Sequence, residues 1–163
     1  MQSLNAWDLS GKLSIDDGMD GGSGRLSWQI RNEDSQMNFR GALGKGAWQL
    51  DSGPGYAHLH KADGSMISSV SVDDLVESEL GWRIPVNSLK WWALGLPAPG
   101  ANERLDLDSK GRVLVMQQHG WNIAYERYGE FDAVLLPTRI TIEGHGVRLR
   151  MVISKWQFGR DID

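Results

Sequence analysis

Cysteine is absent from the 163 residues. Its absence excludes disulfides, thiolate metal sites and a cysteine nucleophile, and leaves no residue in this sequence for lipid attachment through an N-terminal cysteine. Long apolar runs are also missing, since no stretch approaches the ~18 apolar residues of a membrane-spanning helix. Met1-Gln2-Ser3 is followed by neither a basic nor an apolar leader segment, so no signal peptide is expected within the sequence and a soluble domain is. Positive charge is in deficit, with 17 Lys and Arg against 21 Asp and Glu and a net charge of −4. A nucleic-acid partner would favour a basic face, so none is expected.

Tryptophan and glycine are abundant. Eight tryptophans and twenty glycines in 163 residues fit a β-rich chain with tight turns and an aromatic interior. The length suits one domain, expected to span residues 1–163.

Hydrophobicity alternates with a period of two along most of the chain. Leu26, Trp28 and Ile30 share one face of the run from Arg25 to Arg31, and Met37 and Phe39 continue the pattern. Trp121, Ile123 and Tyr125 lie opposite Asn122, Ala124 and Glu126. Ile140 and Ile142 follow, then Val147, Leu149, Met151 and Ile153 against Arg148 and Arg150. One wet and one apolar face per strand is the mark of an antiparallel sheet. Gly21-Gly22-Ser23-Gly24, Asn32-Glu33-Asp34, Asp51 to Gly55, Asp63-Gly64, Ser109-Lys110-Gly111 and Gly144-His145-Gly146 read as the turns between strands. About ten or eleven short strands at this spacing predict a barrel or a strongly curved sheet.

The period changes near the middle. Ser71 stands three residues before Asp74, as in a capping box. Val72, Leu75, Val76 and Leu80 then recur at helical spacing, with Gly81 as a stop. After Ile84-Pro85, Asn87 is placed to cap a second helix bearing Leu89, Trp91, Trp92 and Leu94, which Gly95 and Pro97 end. Residues 71–96 therefore predict a helical insert, with strands resuming near Leu105. Trp82, Trp91 and Trp92 can be ordinary core. Adjacent tryptophans on a short helix cannot both face one core, however, so one is expected at an edge, where it could cover the mouth of a pocket.

The run GWRIPVNSLKWWALGLPAPG from Gly81 to Gly100 resembles the signature segment of the LolB family, the outer-membrane lipoprotein receptors of Gram-negative bacteria. Further matches occur in order: Trp7, Gly11-Lys12-Leu13, Gly111-Arg112, Gln117, the segment from Gly120 to Tyr125, Leu136-Pro137, and the late strand from Arg148 to Trp156. The resemblance implies a mainly β fold with a helical insert: an unclosed antiparallel barrel of about 11 strands, covered by short helices around a hydrophobic cavity. It implies a receptor that takes lipoproteins from a soluble, LolA-like periplasmic carrier, holds their acyl chains and inserts them into the inner leaflet of the outer membrane. No ATP, covalent chemistry, cofactor or metal is implied, and the protein is expected to act as a monomer. Family members are anchored on the periplasmic face by a lipidated N-terminal cysteine. Because this sequence has none, the cysteine and its leader are expected to have been cut away.

With the apolar parity of each strand taken as inward, the acyl-chain cavity is expected to be lined by Trp28, Ile30, Phe39, Trp48, Leu75, Leu89, Trp92, Trp121, Ile123 and Met151. A one-residue slip of register would reverse any strand in that set. By position, the segment from Gly41 to Gly46 matches the family's protruding loop, and Leu43 its exposed leucine. Read without the resemblance, Leu43 can equally anchor a buried loop. Two other functions compete with the receptor: the soluble carrier of the same pathway, and a generic binder of small hydrophobic molecules.

Other constellations carry less. His58 and His60 share a strand face but lack a clear third metal ligand. His119 and His145 fall at turns. Asp73 and Asp74 suit the first turn of a helix. Ser88 lacks the surroundings of a nucleophile. Arg148 and Arg150, with Arg139 as a possible cross-strand neighbour, form a basic outer face that could meet an acidic partner or lipid headgroups.

Overall fold

A computed structural model of the chain describes residues 5–19, 21–41, 46–100 and 102–158. These residues form eleven strands and two helices. In chain order they are β1 (Ala6–Asp16), β2 (Gly21–Arg31), β3 (Asp34–Gly41), β4 (Trp48–Gly53), β5 (Tyr56–Lys61), β6 (Met66–Ser69), α1 (Val72–Leu80), α2 (Val86–Trp92), β7 (Glu103–Leu107), β8 (Val113–Gln118), β9 (Trp121–Phe131), β10 (Val134–Gly144) and β11 (Val147–Phe158). The strands belong to one sheet in the order β6-β5-β4-β3-β2-β1-β11-β10-β9-β8-β7. Sequential neighbours from β2 to β6 and from β7 to β11 pair antiparallel. The sheet is open, with β6 and β7 as its edges.

The chain divides into two compact units. The described residues within 1–13, 23–84 and 153–163 form one, and those within 14–22 and 85–152 the other.

In the first unit the alternation seen in the sequence is the burial pattern of the strands. Leu26, Trp28 and Ile30 on β2 are buried, while Arg25, Ser27, Gln29 and Arg31 are exposed. Register aligns the apolar residues across strands: Leu26 faces Phe39, Phe39 faces Trp48, Trp28 faces Met37, Met37 faces Leu50, and Leu50 faces Leu59. Such cross-strand pairs are the units that stabilise a sheet.

α1 packs on β5 and β6. The Ser71 hydroxyl accepts the Asp74 N–H at 3.3 Å, and Asp73 and Asp74 occupy the first turn. Gly81 closes the helix in the left-handed region at φ 72°, its N–H donating to the Glu77 carbonyl. Val72, Leu75 and Val76 are buried, whereas Leu80 is half-buried at the helix end.

In the second unit, Ile123 pairs with both Met116 and Ile142, Ile142 with Leu149, and Ile140 with Met151. α2 departs from the sequence expectation at its start. Pro85, not Asn87, is the capping residue, and it makes no side-chain cap bond. The Pro85 carbonyl accepts the Ser88 and Leu89 N–H groups at 3.0 Å each, which places Asn87 inside the first turn. The proline ring restricts φ to helix-compatible values and brings no N–H of its own to satisfy, so the helix can begin without an Asx cap. Its end is as expected. Leu96 N–H donates to the Trp91 carbonyl and Gly95 N–H to the Trp92 carbonyl, with Gly95 at φ 80°. That pair of bonds is a Schellman motif.

A second departure concerns Gly21-Gly22-Ser23-Gly24, which reads as a turn but begins β2. A Cβ at Gly24 would lie 2.3 Å from the Arg40 carbonyl oxygen and 2.7 Å from the Phe39 ring. Here glycine permits close approach of a neighbouring strand instead of a reversal. β7 resumes the sheet at Glu103, close to the expected position.

Candidate functional site

All ten residues predicted to line a cavity are buried, each at most 8 % exposed. They divide evenly between the units. Trp28, Ile30, Phe39, Trp48 and Leu75 belong to the first, and Leu89, Trp92, Trp121, Ile123 and Met151 to the second.

The first unit gathers its tryptophans and Phe39 into two groups. Trp7 stands edge-on to Trp28 and to Trp156, with ring centroids 5.2 Å apart in both pairs. Phe39 stacks on Trp48 at 5.2 Å, and Trp82, just past α1, meets both edge-on at 5.5 and 5.7 Å. Edge-on and offset contacts of this kind suit the ring quadrupole and add about 0.5–1.5 kcal/mol per pair beyond area burial. Trp28 keeps its indole N–H satisfied by donating to the Ser35 hydroxyl at 2.8 Å. Trp7, Trp82 and Trp156 were not among the predicted lining residues. Trp7 and Trp156 sit 149 positions apart, and only the pairing of chain ends could bring them together.

The second unit is organised around a buried amide that sequence reasoning missed. Gln118, 2 % exposed, accepts the Trp92 indole N–H at 2.7 Å and the Ala98 N–H at 2.9 Å on Oε1, and its Nε2 donates to the Ala98 carbonyl at 2.8 Å. The Tyr125 hydroxyl donates to the Trp92 carbonyl at 2.6 Å, and the Tyr128 hydroxyl to the Val113 carbonyl at 2.6 Å. Burial pushes the Tyr125 phenol well above its ordinary range, with a smaller contribution from Tyr128. Burial also raises Tyr128, with Asp108 adding to it. The signal for Gln118 was present in the alternation. It follows Met116 by two residues and shares its inward parity, and it pairs with Trp121 in register. Trp92 is fully buried beside Trp121, at 6.4 Å between rings, while Trp91 is half-buried at the helix edge. The expected split between adjacent tryptophans is observed.

The wet face carries the remaining candidates. His60 Nε2 lies 3.2 Å from Asp51 Oδ2, and His58 Nδ1 lies 2.8 Å from the Ser68 hydroxyl. No group of three or more His, Cys, Asp or Glu that could hold a metal occurs among the described residues. His119 and His145 are exposed at turns with positive φ. Arg139 is 4.0 Å from Glu126 and Arg148 is 3.2 Å from Glu143, and Arg139 stands opposite Arg127. The basic outer face therefore includes Arg127 and is partly neutralised by carboxylates. Leu43 lies outside the described residues.

A family model described as "Outer membrane lipoprotein LolB" matches residues 5–156. The outer-membrane lipoprotein LolB of Stutzerimonas stutzeri is 38 % identical over 155 residues, covering 95 % of this chain and 75 % of that protein. LolB of Pseudomonas aeruginosa is 38 % identical over 157 residues, covering 96 % and 77 %. Among solved structures, a LolA superfamily protein from Nitrosomonas europaea superposes with a TM-score of 0.65 at 12 % identity, covering 98 % of this chain and 88 % of that one. A putative outer-membrane lipoprotein-sorting protein domain from Vibrio parahaemolyticus gives 0.60 at 8 % identity, covering 99 % and 88 %. At such identities these two likenesses speak for the fold alone, and the fold agrees with the sequence relatives: the chain belongs to the LolB family of outer-membrane lipoproteins.

Proposed function

We propose that this chain is a receptor that accepts lipoproteins from a LolA-like periplasmic carrier, holds their acyl chains against its apolar sheet face, and delivers them to the outer membrane. The observation that carries this reading is a LolB-family chain whose sheet buries an aromatic-rich face in each unit, each with its own helix. Residues 1–163 are proposed to serve as one receptor domain, each unit contributing a helix of the 71–96 insert. The ten buried residues from Trp28 to Met151 are the proposed surroundings of the acyl chains.

The energetics favour exchange over release. Burying a methylene contributes about 0.8 kcal/mol, so some 40 methylenes on three chains represent roughly 30 kcal/mol against water. Known non-covalent affinities end near −18 to −21 kcal/mol, so transfer through water would be too slow to serve. Cargo must pass from one apolar environment to the next, and small affinity differences can set the direction without ATP or covalent chemistry.

In this reading Leu43 is the residue that touches the bilayer. Inserting one leucine is worth only ~1.5–3 kcal/mol, enough for contact and too little for anchorage. Anchorage on the periplasmic face would come from a lipidated cysteine encoded upstream, as suits a family named for its lipoproteins. The receptor works as a monomer.

Transfer from a lipoprotein-loaded carrier to this chain, and then to liposomes, tests the proposal. Leu43→Glu is expected to accept cargo normally and to deliver it at least about tenfold more slowly, given the transfer energy of the lost leucine. Unchanged delivery would remove the role of Leu43. No uptake from the carrier by the unaltered chain would overturn the receptor reading in favour of a generic hydrophobic-ligand binder.

A further inference from the structure

Gln118 stands out on the apolar face of the second unit. A buried amide is costly unless its hydrogen bonds are met, and an apolar side chain of the same length would cover that face equally well. This amide is met in a particular way. Its Oε1 and Nε2 engage the N–H and carbonyl of Ala98 together, as a paired strand residue would, while Oε1 also takes the Trp92 indole. One side chain on β8 thus grips both ends of the segment from Trp92 to Ala98. Tyr125 on β9 adds a second tie at the Trp92 carbonyl, which also receives Gly95 N–H in the helix-closing turn.

Apolar contact is non-directional. A helix resting on an apolar face by packing alone can slide as the contents beneath it change. Hydrogen bonds in a low-dielectric interior are directional and strengthen one another.

We propose that Gln118, supported by Tyr125, is a positioning residue for lipid binding: it holds the 92–98 segment in place over its half of the sheet and so sets how fast acyl chains enter and leave. This rests on the receptor reading above. Methionine at position 118 would keep length and burial but leave Trp92 Nε1 and both Ala98 groups without this partner. The segment would then loosen while the sheet beneath it stays formed.

Two measurements on the whole chain test the proposal, with Gln118→Met and Tyr125→Phe as variants. The first is amide hydrogen exchange of the free protein. In Gln118→Met, peptides covering residues 86–98 are expected to exchange on the order of tenfold faster, and in Tyr125→Phe by a smaller factor. Peptides from α1, in the other unit, should be unchanged in both. The second is release of a fluorescent synthetic triacylated lipopeptide from the protein to excess phospholipid vesicles. Gln118→Met is expected to release about tenfold faster per bound molecule, whereas a loss of general stability would lower the bound fraction without changing that rate.

Unchanged exchange in 86–98, or an equal rise across the chain, would overturn the positioning role. Local loosening with unchanged release would overturn its link to lipid exchange. If the unaltered chain bound no lipopeptide, the receptor reading and that link would fall together, while the exchange pattern would still decide whether the amide fixes 92–98.

Discussion

At the scale of single residues, the polar groups on the apolar face of the second unit have effects that can be measured one at a time. Burial, with a smaller contribution from Tyr128, raises the Tyr125 phenol, whose hydroxyl donates to the Trp92 carbonyl. Removing that hydroxyl with Tyr125→Phe leaves a buried carbonyl with one donor fewer, and is expected to lower stability by about 1–2 kcal/mol in urea unfolding. The sign of its pH dependence follows from the direction of the shift. The folded state resists ionisation that the unfolded state undergoes near pH 10, so the stability is intact below about pH 10 and falls as pH rises above it. Stability measured from pH 8 to 11 should therefore decline more in the parent chain than in Tyr125→Phe. Of the buried residues, the apolar ones were legible from alternation, since Trp28, Ile123 and their neighbours occupy inward parity. Gln118 carried the same parity signal, but a polar residue at inward parity next to a turn reads as the end of a strand until its partners are seen.

Local elements explain both the successes and the errors of sequence reading. α1 was readable because its start and stop are chemical: the Ser71 hydroxyl cap and Gly81 in the left-handed region. Ser71→Ala should cost about 1 kcal/mol in thermal or urea unfolding. α2 was misread at its first residue because Asn87 has the side chain of a cap and Pro85 does not, yet Pro85 fixes the backbone that starts the turn. The Gly21–Gly24 run misled for a related reason: glycine marks either a reversal or a close approach, and composition cannot distinguish them.

The turn before β8 offers a test with a sign. Asp108 accepts the Arg112 and Lys110 N–H groups at 2.9 and 2.8 Å and the Arg112 guanidinium at 2.6 Å. The backbone bond from Arg112 is the largest contribution holding its carboxyl below the usual range. A depressed carboxylate stabilises above its unfolded pKa, near 4, and that contribution is lost as pH falls through the folded value. Asp108→Asn should therefore be less stable than the parent at pH 6, and the difference should shrink as pH falls below the unfolded carboxylate range in acid unfolding curves.

For the whole molecule, the sheet order places β1 beside β11 and leaves β6 and β7 as edges. The expectation of an unclosed antiparallel sheet with about 11 strands agrees with that order. A receptor built this way should show its apolar faces to lipid and not to water. Binding of the triacylated lipopeptide is expected to protect amides of the strands that carry the apolar residues, β2–β4 in the first unit and β8–β10 in the second. Protection confined to the turns would place the acyl chains elsewhere.

The chain's own pattern determined its strands, their apolar faces and the interruption by helices, because side-chain periods of two and 3.6 are written locally. It also carried the motif from Gly81 to Gly100 that marks the family. Only the tertiary structure decided which strands are neighbours, where Trp7 meets Trp156, and that Gln118 holds Trp92 and Ala98. Those relations join residues far apart in the chain, and hydrogen-bond partners follow from distance in space, which local periodicity does not encode.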